Sequence, residues 1–215
     1  MIKGIIFDLD GVLVSTDELH YQAWKKLAEE LGIQSFTKED NERQRGVSRM
    51  DSLEIVLEKA DKTYSPEEKT ELADRKNEYY KESLKSLDNK AVLGGVEGAL
   101  EALKRRNLLL AVGSASKNAP AILKQTGLLP YLNQISCGLD ITHSKPDPEV
   151  FTVAAKRLGL KPEECLVVED SAAGVEAAKR GGMRSLGVGP FHTTLGADFQ
   201  ADDLGGVNDW DTVLA

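Results

Sequence analysis

Residues 2–14, IKGIIFDLDGVLV, decide the fold of this chain. The first part, residues 2–7, is a short apolar run, which predicts a buried strand. Asp8, Asp10 and Gly11 follow at once, and this polar turn predicts a loop at the end of the strand. The stretch therefore predicts a strand that leads directly into a loop carrying two carboxylates.

The same succession of apolar run and polar loop recurs downstream. Further strands are predicted at 107–113, 133–138, 164–168 and 183–188. Helical patterns lie between them at 95–105, 117–126, 147–158 and 172–180. Alternating strands and helices build right-handed βαβ units, and these form a parallel sheet. We therefore expect an α/β fold with a Rossmann-like parallel sheet core.

Residues 16–87 interrupt this alternation, because they contain helical patterns and no apolar strand. Asp17 is the predicted N-cap of the first of these helices, which Gly32 ends, and Ser65-Pro66 begins the last one. A helical stretch placed after the first strand of a parallel sheet indicates an insertion. The sequence predicts an all-α helical cap at 16–87 and a discontinuous core domain made of 1–15 and 88–215.

The composition excludes several classes of protein. The 215 residues carry 27 basic and 35 acidic side chains, a net charge of −8, whereas nucleic-acid surfaces need clustered Lys and Arg. The N-terminus is too acidic for a signal peptide, and no apolar run approaches the ~20 residues of a membrane span. We expect a cytoplasmic protein without nucleic-acid or membrane partners, and a monomer, since no apolar stripe demands a partner.

Cys137 and Cys165 lack CxxC spacing, and each lies in or beside an apolar stretch. Free cysteines in such stretches are usually buried. We therefore expect two buried, reduced thiols.

Polar clusters follow four of the predicted strands. These clusters are Asp8 with Asp10, Ser114, Lys145, and Glu169 with Asp170. In open parallel sheets, ligands bind outside the carboxyl ends of the strands. The topology therefore predicts that all four clusters meet at one edge of the sheet.

Asp8 and Asp10 suit phosphoryl transfer. A carboxylate can attack phosphorus and form an aspartyl-phosphate, and a second carboxylate two residues on can act as general acid and base. A surface turn is the plain alternative. A calcium loop does not fit, because the third acid and the glutamate at loop position twelve are missing.

The other three clusters have plain alternatives as well. Glu169 and Asp170 could bind a hard cation, or they could be acids at a helix N-terminus, where Asp170 or Ser171 would cap. Ser114 and Lys145 could hold the oxygens of a transferring phosphoryl group. Alternatively, Ser114 is a helix N-cap and Lys145 an exposed loop lysine.

Four features together resemble the motifs of the haloacid dehalogenase superfamily. They are FDLDGV, the serine after the second strand, the lysine before Pro146 and the Glu169-Asp170 pair. The motifs stand in the same order and span the core. This resemblance implies that Asp8 is the nucleophile and that Asp10 transfers the substrate proton. It also implies Mg²⁺ on Asp8, Asp10 and Asp170 with Glu169 beside them, and Ser114 and Lys145 on the phosphoryl group.

Four further stretches resemble the β-phosphoglucomutase family. They are residues 17–33 (DELHYQAWKKLAEELGI), 45–53 (RGVSRMDSL), 73–80 (ADRKNEYY) and 113–120 (GSASKNAP). This resemblance implies a second phosphate site made of Arg49, Ser116, Lys117 and Asn118. It further implies sugar contacts from Gly46, Val47, Ser52 and Lys76, and coupling of cap closure to Asp10 through His20 and Trp24. One departure is Arg45, where the family would have lysine.

The implied activity is a phosphomutase that interconverts β-D-glucose 1-phosphate and glucose 6-phosphate. The reaction would pass through an aspartyl-phosphate and β-glucose 1,6-bisphosphate. A Mg²⁺-dependent sugar-phosphate phosphatase with the same core is the alternative. A non-catalytic protein that binds a phosphorylated ligand is a third possibility, which the paired Asp8 and Asp10 disfavour.

Overall fold

The computed structural model describes residues 1–45 and 47–215, and it divides into two compact units. One unit joins Met1–Ser15 to Asp88–Ala215, and the other is Thr16–Leu87. Gly46, a predicted sugar contact, lies outside the described residues. Among these residues, no helix is both long and apolar enough to cross a membrane.

The first unit contains a sheet to which the described residues contribute six strands, all paired in parallel. They are β1 Gly4–Phe7, β2 Leu109–Gly113, β3 Gln134–Ser136, β4 Cys165–Glu169, β5 Arg184–Gly187 and β6 Phe199–Gln200. Their order across the sheet is β3-β2-β1-β4-β5-β6. This is the doubly wound order of Rossmann-like folds, so the predicted fold class is confirmed.

Helices connect the strands. In this unit they are α5 Val96–Arg105, α6 Ala119–Gln125, α7 Glu149–Leu158, α8 Ala172–Arg180 and α9 Trp210–Leu214. Short 3₁₀ helices lie at Asn89–Ala91, Leu129–Tyr131, Pro162–Glu164 and His192–Thr194. The sequence left β6 and α9 unassigned, because the tail after Val188 has little apolar periodicity.

The central strands β1 and β4 are mainly apolar because the sheet is covered on both faces there. All four residues of β1 and all five of β4 are buried. One apolar cluster packs α7 and α8 against the sheet, with Phe151 fully buried among its members. Cys137 and Cys165 are free and buried, as expected.

The second unit is helical. It consists of α1 Asp17–Glu30, α2 Lys38–Glu42, α3 Arg49–Leu57 and α4 Pro66–Leu84. Ser65 caps α4 as predicted, but the N-cap of α1 is Thr16 rather than Asp17, which is the first helical residue. Helix α2 was not predicted from the sequence, although Thr37 and Asp40 form a capping box at its start.

Candidate active site

Lys145 lies between two acidic side chains at the carboxyl edge of the sheet. Its Nζ donates to Asp8 Oδ1 at 2.6 Å and to Glu169 Oε1 at 2.5 Å. All three side chains are buried, and Lys145 is only 2% exposed. The expectation of an exposed loop lysine is therefore wrong, and Lys145 is a buried counter-ion.

Asp8 is fixed by the strand that precedes it. Its backbone N–H donates to Val168 O at 2.9 Å, which extends the β1–β4 pairing by one residue. Burial raises the pKa of Asp8 to about 7; Lys145 opposes this shift, and the negative charge of Glu169 adds to it. A further positive charge beside Asp8 would therefore lower its pKa and favour the ionised carboxylate.

Glu169 is held on its other side by the start of α8. Its Oε2 accepts from the backbone N–H and the hydroxyl of Ser171, both at 2.8 Å. Ser171 Oγ in turn accepts from Gly174 N–H and caps the helix. A β-carbon on Gly174 would lie 1.9 Å from the Glu169 carboxyl group, so glycine leaves the space that this carboxylate fills.

Asp170 approaches the turn that follows β1. Gly11 has φ +83°, and a β-carbon placed on it would lie 2.0 Å from Asp170 Oδ2. Glycine is therefore required here twice, for its backbone conformation and for the space beside it. The turn brings Asp10 and Asp170 to the same edge as Asp8, and neither side chain is fully buried.

Ser114 follows β2, the strand next to β1. It is 2% exposed, its backbone N–H donates to Ser136 O, and its hydroxyl accepts from Ser116 N–H at 3.2 Å. The expectation that Ser114 might cap a helix is wrong, because Asn118 is the N-cap of α6. Ser116, Lys117 and Asn118 continue the same loop.

Asp8, Lys145 and Glu169 thus form one buried charged cluster at the carboxyl edge of the sheet. The chain resembles known proteins over nearly its whole length. Residues 2–182 match the family model described as haloacid dehalogenase-like hydrolase. The chain belongs to this family.

Several individual proteins of the haloacid dehalogenase-like family are similar in sequence to this chain. The β-phosphoglucomutase of Bacillus subtilis is 39% identical over 208 residues, which is 94% of this chain and 92% of that protein. The phosphorylated carbohydrates phosphatase of Thermotoga maritima is 32% identical over 86% of this chain and 84% of its own. The crystal structure of the Clostridium difficile β-phosphoglucomutase superposes with a TM-score of 0.90, at 35% identity, over 99% of this chain and 96% of that one.

The helical unit of this haloacid dehalogenase-like protein brings three predicted residues together. Lys76 Nζ is 2.8 Å from His20 Nδ1 and lies over the ring of Trp24 at 4.6 Å. Tyr80, which the sequence analysis did not select, stacks on His20 with ring centroids 4.0 Å apart. Burial, and then the charge of Lys76, lower the pKa of His20 well below its usual value. His20 is therefore a neutral base beside a buried ammonium.

Arg49 opens α3, and its guanidinium lies 3.6 Å from Asp74 with 21% of the side chain exposed. Burial lowers the pKa of Arg49, and the negative charge of Asp74 opposes this shift. Ser52 is buried one turn further along α3, and Val47 is half-buried. Arg45 pairs with Asp17 at 2.5 Å.

The charge of the sheet-edge cluster fits a divalent cation. Lys145 provides one positive charge in contact with Asp8 and Glu169, while Asp10 and Asp170 lie at the same edge. Carboxylate oxygens are the ligands that Mg²⁺ prefers. Both oxygens of Glu169 already accept hydrogen bonds, so its contacts are those of a group that positions Lys145. The predicted ligand set stays a prediction.

A second group of possible metal ligands flanks Lys145 in the sequence. His143, Asp147 and Glu149 have ligand atoms within 4.8 Å of one another. However, Glu149 accepts from the backbone N–H groups of Thr142 and His143, and Asp147 accepts from Glu149 N–H. These contacts stabilise the loop before α7.

Some residues that shape the site carried weak signals in the sequence. The sequence predicts a capping role for Ser171, and in the structure its hydroxyl also donates to Glu169. Gly174 matters for the space above Glu169, which the spacing of residues does not reveal. Tyr80 stood within a stretch that resembles the β-phosphoglucomutase family but was not singled out.

Proposed function

We propose that this protein is a phosphomutase that interconverts β-D-glucose 1-phosphate and glucose 6-phosphate. The observation that carries the proposal is the buried Asp8–Lys145–Glu169 cluster in a chain 39% identical to the Bacillus subtilis β-phosphoglucomutase over 94% of its length. The cluster supplies a carboxylate at a strand end, an ammonium that touches it, and a buried carboxylate that holds the ammonium.

In the proposed reaction, an oxygen of Asp8 attacks phosphorus of β-glucose 1,6-bisphosphate. The bond between phosphorus and the sugar oxygen breaks, and Asp10 donates a proton to that oxygen. In the second half-reaction, Asp10 takes the proton from the 6-hydroxyl of β-glucose 1-phosphate, whose oxygen attacks phosphorus of the aspartyl-phosphate as the bond from phosphorus to Asp8 breaks. Because loss of the 1-phosphoryl group from the bisphosphate leaves glucose 6-phosphate, the two half-reactions convert one monophosphate into the other, regenerate the bisphosphate and leave Asp8 free.

Lys145 and Ser114 would bind the oxygens of the transferring phosphoryl group, which share negative charge during transfer. Asp8, the backbone carbonyl of Asp10, and Asp170, with Glu169 beside them, would hold Mg²⁺. When bound, the ion would neutralise negative charge on the phosphoryl oxygens and on Asp8. The buried Lys145 would remain protonated throughout, since Asp8 and Glu169 raise its pKa against the effect of burial.

The helical unit would provide selectivity. Arg49 would bind the phosphate that is not transferred, together with Ser116, Lys117 and Asn118, and a guanidinium can bind phosphate through two N–H groups. Val47, Ser52 and Lys76 would contact the sugar, and His20 and Trp24 would support Asp10. The monomeric state and the cytoplasmic location stay predictions from the sequence.

The test is incubation with Mg²⁺, β-glucose 1-phosphate and a trace of β-glucose 1,6-bisphosphate, following glucose 6-phosphate and inorganic phosphate together. We expect glucose 6-phosphate without matching phosphate release, and no product from Asp8→Asn. A phosphatase is the second candidate, because the Thermotoga maritima phosphatase is 32% identical over 86% of this chain. Stoichiometric release of phosphate and glucose would favour that activity.

Arg49 separates the two candidates further. We expect Arg49→Ala to lose mutase turnover while it still hydrolyses small phosphate esters, since hydrolysis of a monoester needs one phosphate site. Arg75→Ala is the matched control. Arg75 is an exposed arginine of α4, and its guanidinium lies 3.8 Å from the Glu30 carboxylate. Unchanged mutase kinetics in Arg49→Ala would contradict the role given to Arg49.

A further inference from the structure

Lys145 lies on an irregular segment, residues 137–148, between β3 and α7. No regular secondary structure fixes this segment, yet it places a buried ammonium within hydrogen-bond distance of two carboxylates. Hydrogen bonds and packing contacts must therefore determine the path of the chain. The contacts at its beginning involve Asp140 and Arg157, neither of which belongs to the cluster itself.

Asp140 organises the first turn of the segment. Its Oδ2 accepts from the backbone N–H of Cys137 at 2.9 Å, and its own N–H donates to Cys137 O at 2.9 Å. The carboxylate thus closes the turn formed by residues 137–140, much as a capping side chain closes a helix end. Arg157 holds the pKa of Asp140 down to about 2, so the group is ionised at neutral pH.

Arg157 fixes that turn to the rest of the unit. Its Nη2 donates to Asp140 Oδ1 at 2.6 Å and its Nη1 to Asp140 Oδ2 at 3.0 Å, a bidentate pair. Nη1 also donates to the backbone carbonyl of Ile135 in β3. One guanidinium on α7 therefore joins the strand before the segment to the turn within it.

The same turn packs closely against the loop that contains Ser114 and Ser116. A β-carbon on Gly138 would lie 2.2 Å from the carbonyl oxygen of Ala115, and Gly138 N–H donates to Ser116 O at 3.3 Å. The turn is therefore in contact with one group of predicted phosphate ligands and leads to another. A shift of the turn would move both.

We propose that Asp140 and Arg157 are positioning residues that fix Lys145, and the neighbouring loop at Ser116, in the geometry required for phosphoryl transfer. They touch neither substrate nor reacting atoms. The inference rests on the proposed function, since it assigns Lys145 a part in the transfer. Misplacement of a catalytic group by about 1 Å can cost about a hundredfold in rate.

The test uses Asp140→Ala, the milder Asp140→Asn and Arg157→Lys in the full chain. Asparagine can still accept from Cys137 N–H but cannot form the ion pair, and lysine keeps the charge but not the bidentate geometry. We expect kcat to fall about tenfold or more in Asp140→Ala, with little change in KM and a smaller loss in the two conservative variants. Glu176→Ala is the control, because it removes an exposed arginine–carboxylate pair of the same unit, with Arg180 at 2.8 Å.

A second measurement does not depend on activity. The ¹H–¹⁵N signal of the buried Lys145 ammonium, assigned through its loss in Lys145→Met, should shift or broaden in Asp140→Asn and stay unchanged in Glu176→Ala. Urea unfolding identifies the variants that are folded under assay conditions. If folded Asp140→Asn and Arg157→Lys keep both the wild-type signal and the wild-type kcat, the positioning role is wrong. If the unmodified protein lacks mutase activity but the signal still shifts, the proposed function fails and the positioning of Lys145 stands.

Discussion

Replacing Lys145 with methionine tests the charge balance of the buried cluster. Methionine keeps much of the length of the side chain and removes its charge, leaving Asp8 and Glu169 without their shared cation. The side chains of Lys145, Asp8 and Glu169 are 2%, 12% and 0% exposed, so water cannot replace the lost partner. Removing one partner of a buried ion pair typically costs about 3–5 kcal/mol, against a total stability of about 5–15 kcal/mol.

The loss should depend on pH in a definite direction. Burial raises the pKa of Asp8 from 3.8 to about 7, so its protonated form stabilises the fold below pH 4, and this contribution is lost as the pH rises through 7. Near pH 5, Asp8 is mostly neutral with or without Lys145, and Lys145 compensates chiefly Glu169. Near pH 8, Asp8 is mostly ionised and paired with Lys145 in the unmodified protein, whereas loss of Lys145 raises its pKa further and opposes this ionisation, so the difference in stability should be larger.

Urea unfolding in EDTA at pH 5 and pH 8 measures this difference. In a Trp24→Phe background, Trp210 is the remaining tryptophan, so fluorescence follows the unit that contains Lys145. Lys3→Met is the control, because Lys3 forms an exposed pair with Glu164 and should change stability little. Equal stability of Lys145→Met and its parent at pH 8 would refute the argument that Lys145 compensates buried charge.

Two further substitutions test the cluster from other sides. Asp8→Asn removes the carboxyl group whose pKa is about 7. In the absence of metal, the stability of this variant relative to the unmodified protein should therefore rise by roughly 1.4 kcal/mol between pH 6 and pH 8. Thermal unfolding at the two pH values measures this change, and a constant difference would contradict the raised pKa. Gly11→Ala places a β-carbon 2.0 Å from Asp170 Oδ2 at a residue with φ +83°. Because this contact should displace the predicted Mg²⁺ ligand Asp170, we expect half-maximal activity to need a several-fold higher Mg²⁺ concentration. Gly159→Ala is the matched control, since Gly159 has φ +72° and open space around it, and an equal Mg²⁺ requirement in both variants would show that Asp170 is not displaced.

Part of this protein followed from the sequence because local patterns carry it. Buried parallel strands are continuous apolar runs, so β1 and β4 stand out against the helices between them. Asp8 and Asp10 were identifiable because the acids come directly after such a run, and the ends of parallel strands share an edge. The pairing order of the sheet also agrees with the predicted Rossmann-like class.

Long-range contacts were decided only by the tertiary structure. The burial of Lys145 depends on Asp8, 137 residues away, and on Glu169, 24 residues away. A lysine in a polar loop has the same local sequence whether it is exposed or enclosed, so its neighbours in the chain could not reveal its state. The bond from Arg157 to Asp140 and the contact of Gly138 with Ala115 are of the same kind, because each depends on how separate segments pack. Local patterns in the sequence predict which side chains lie near the sheet edge, whereas the packing of distant segments decides which partners they contact and how far they are buried.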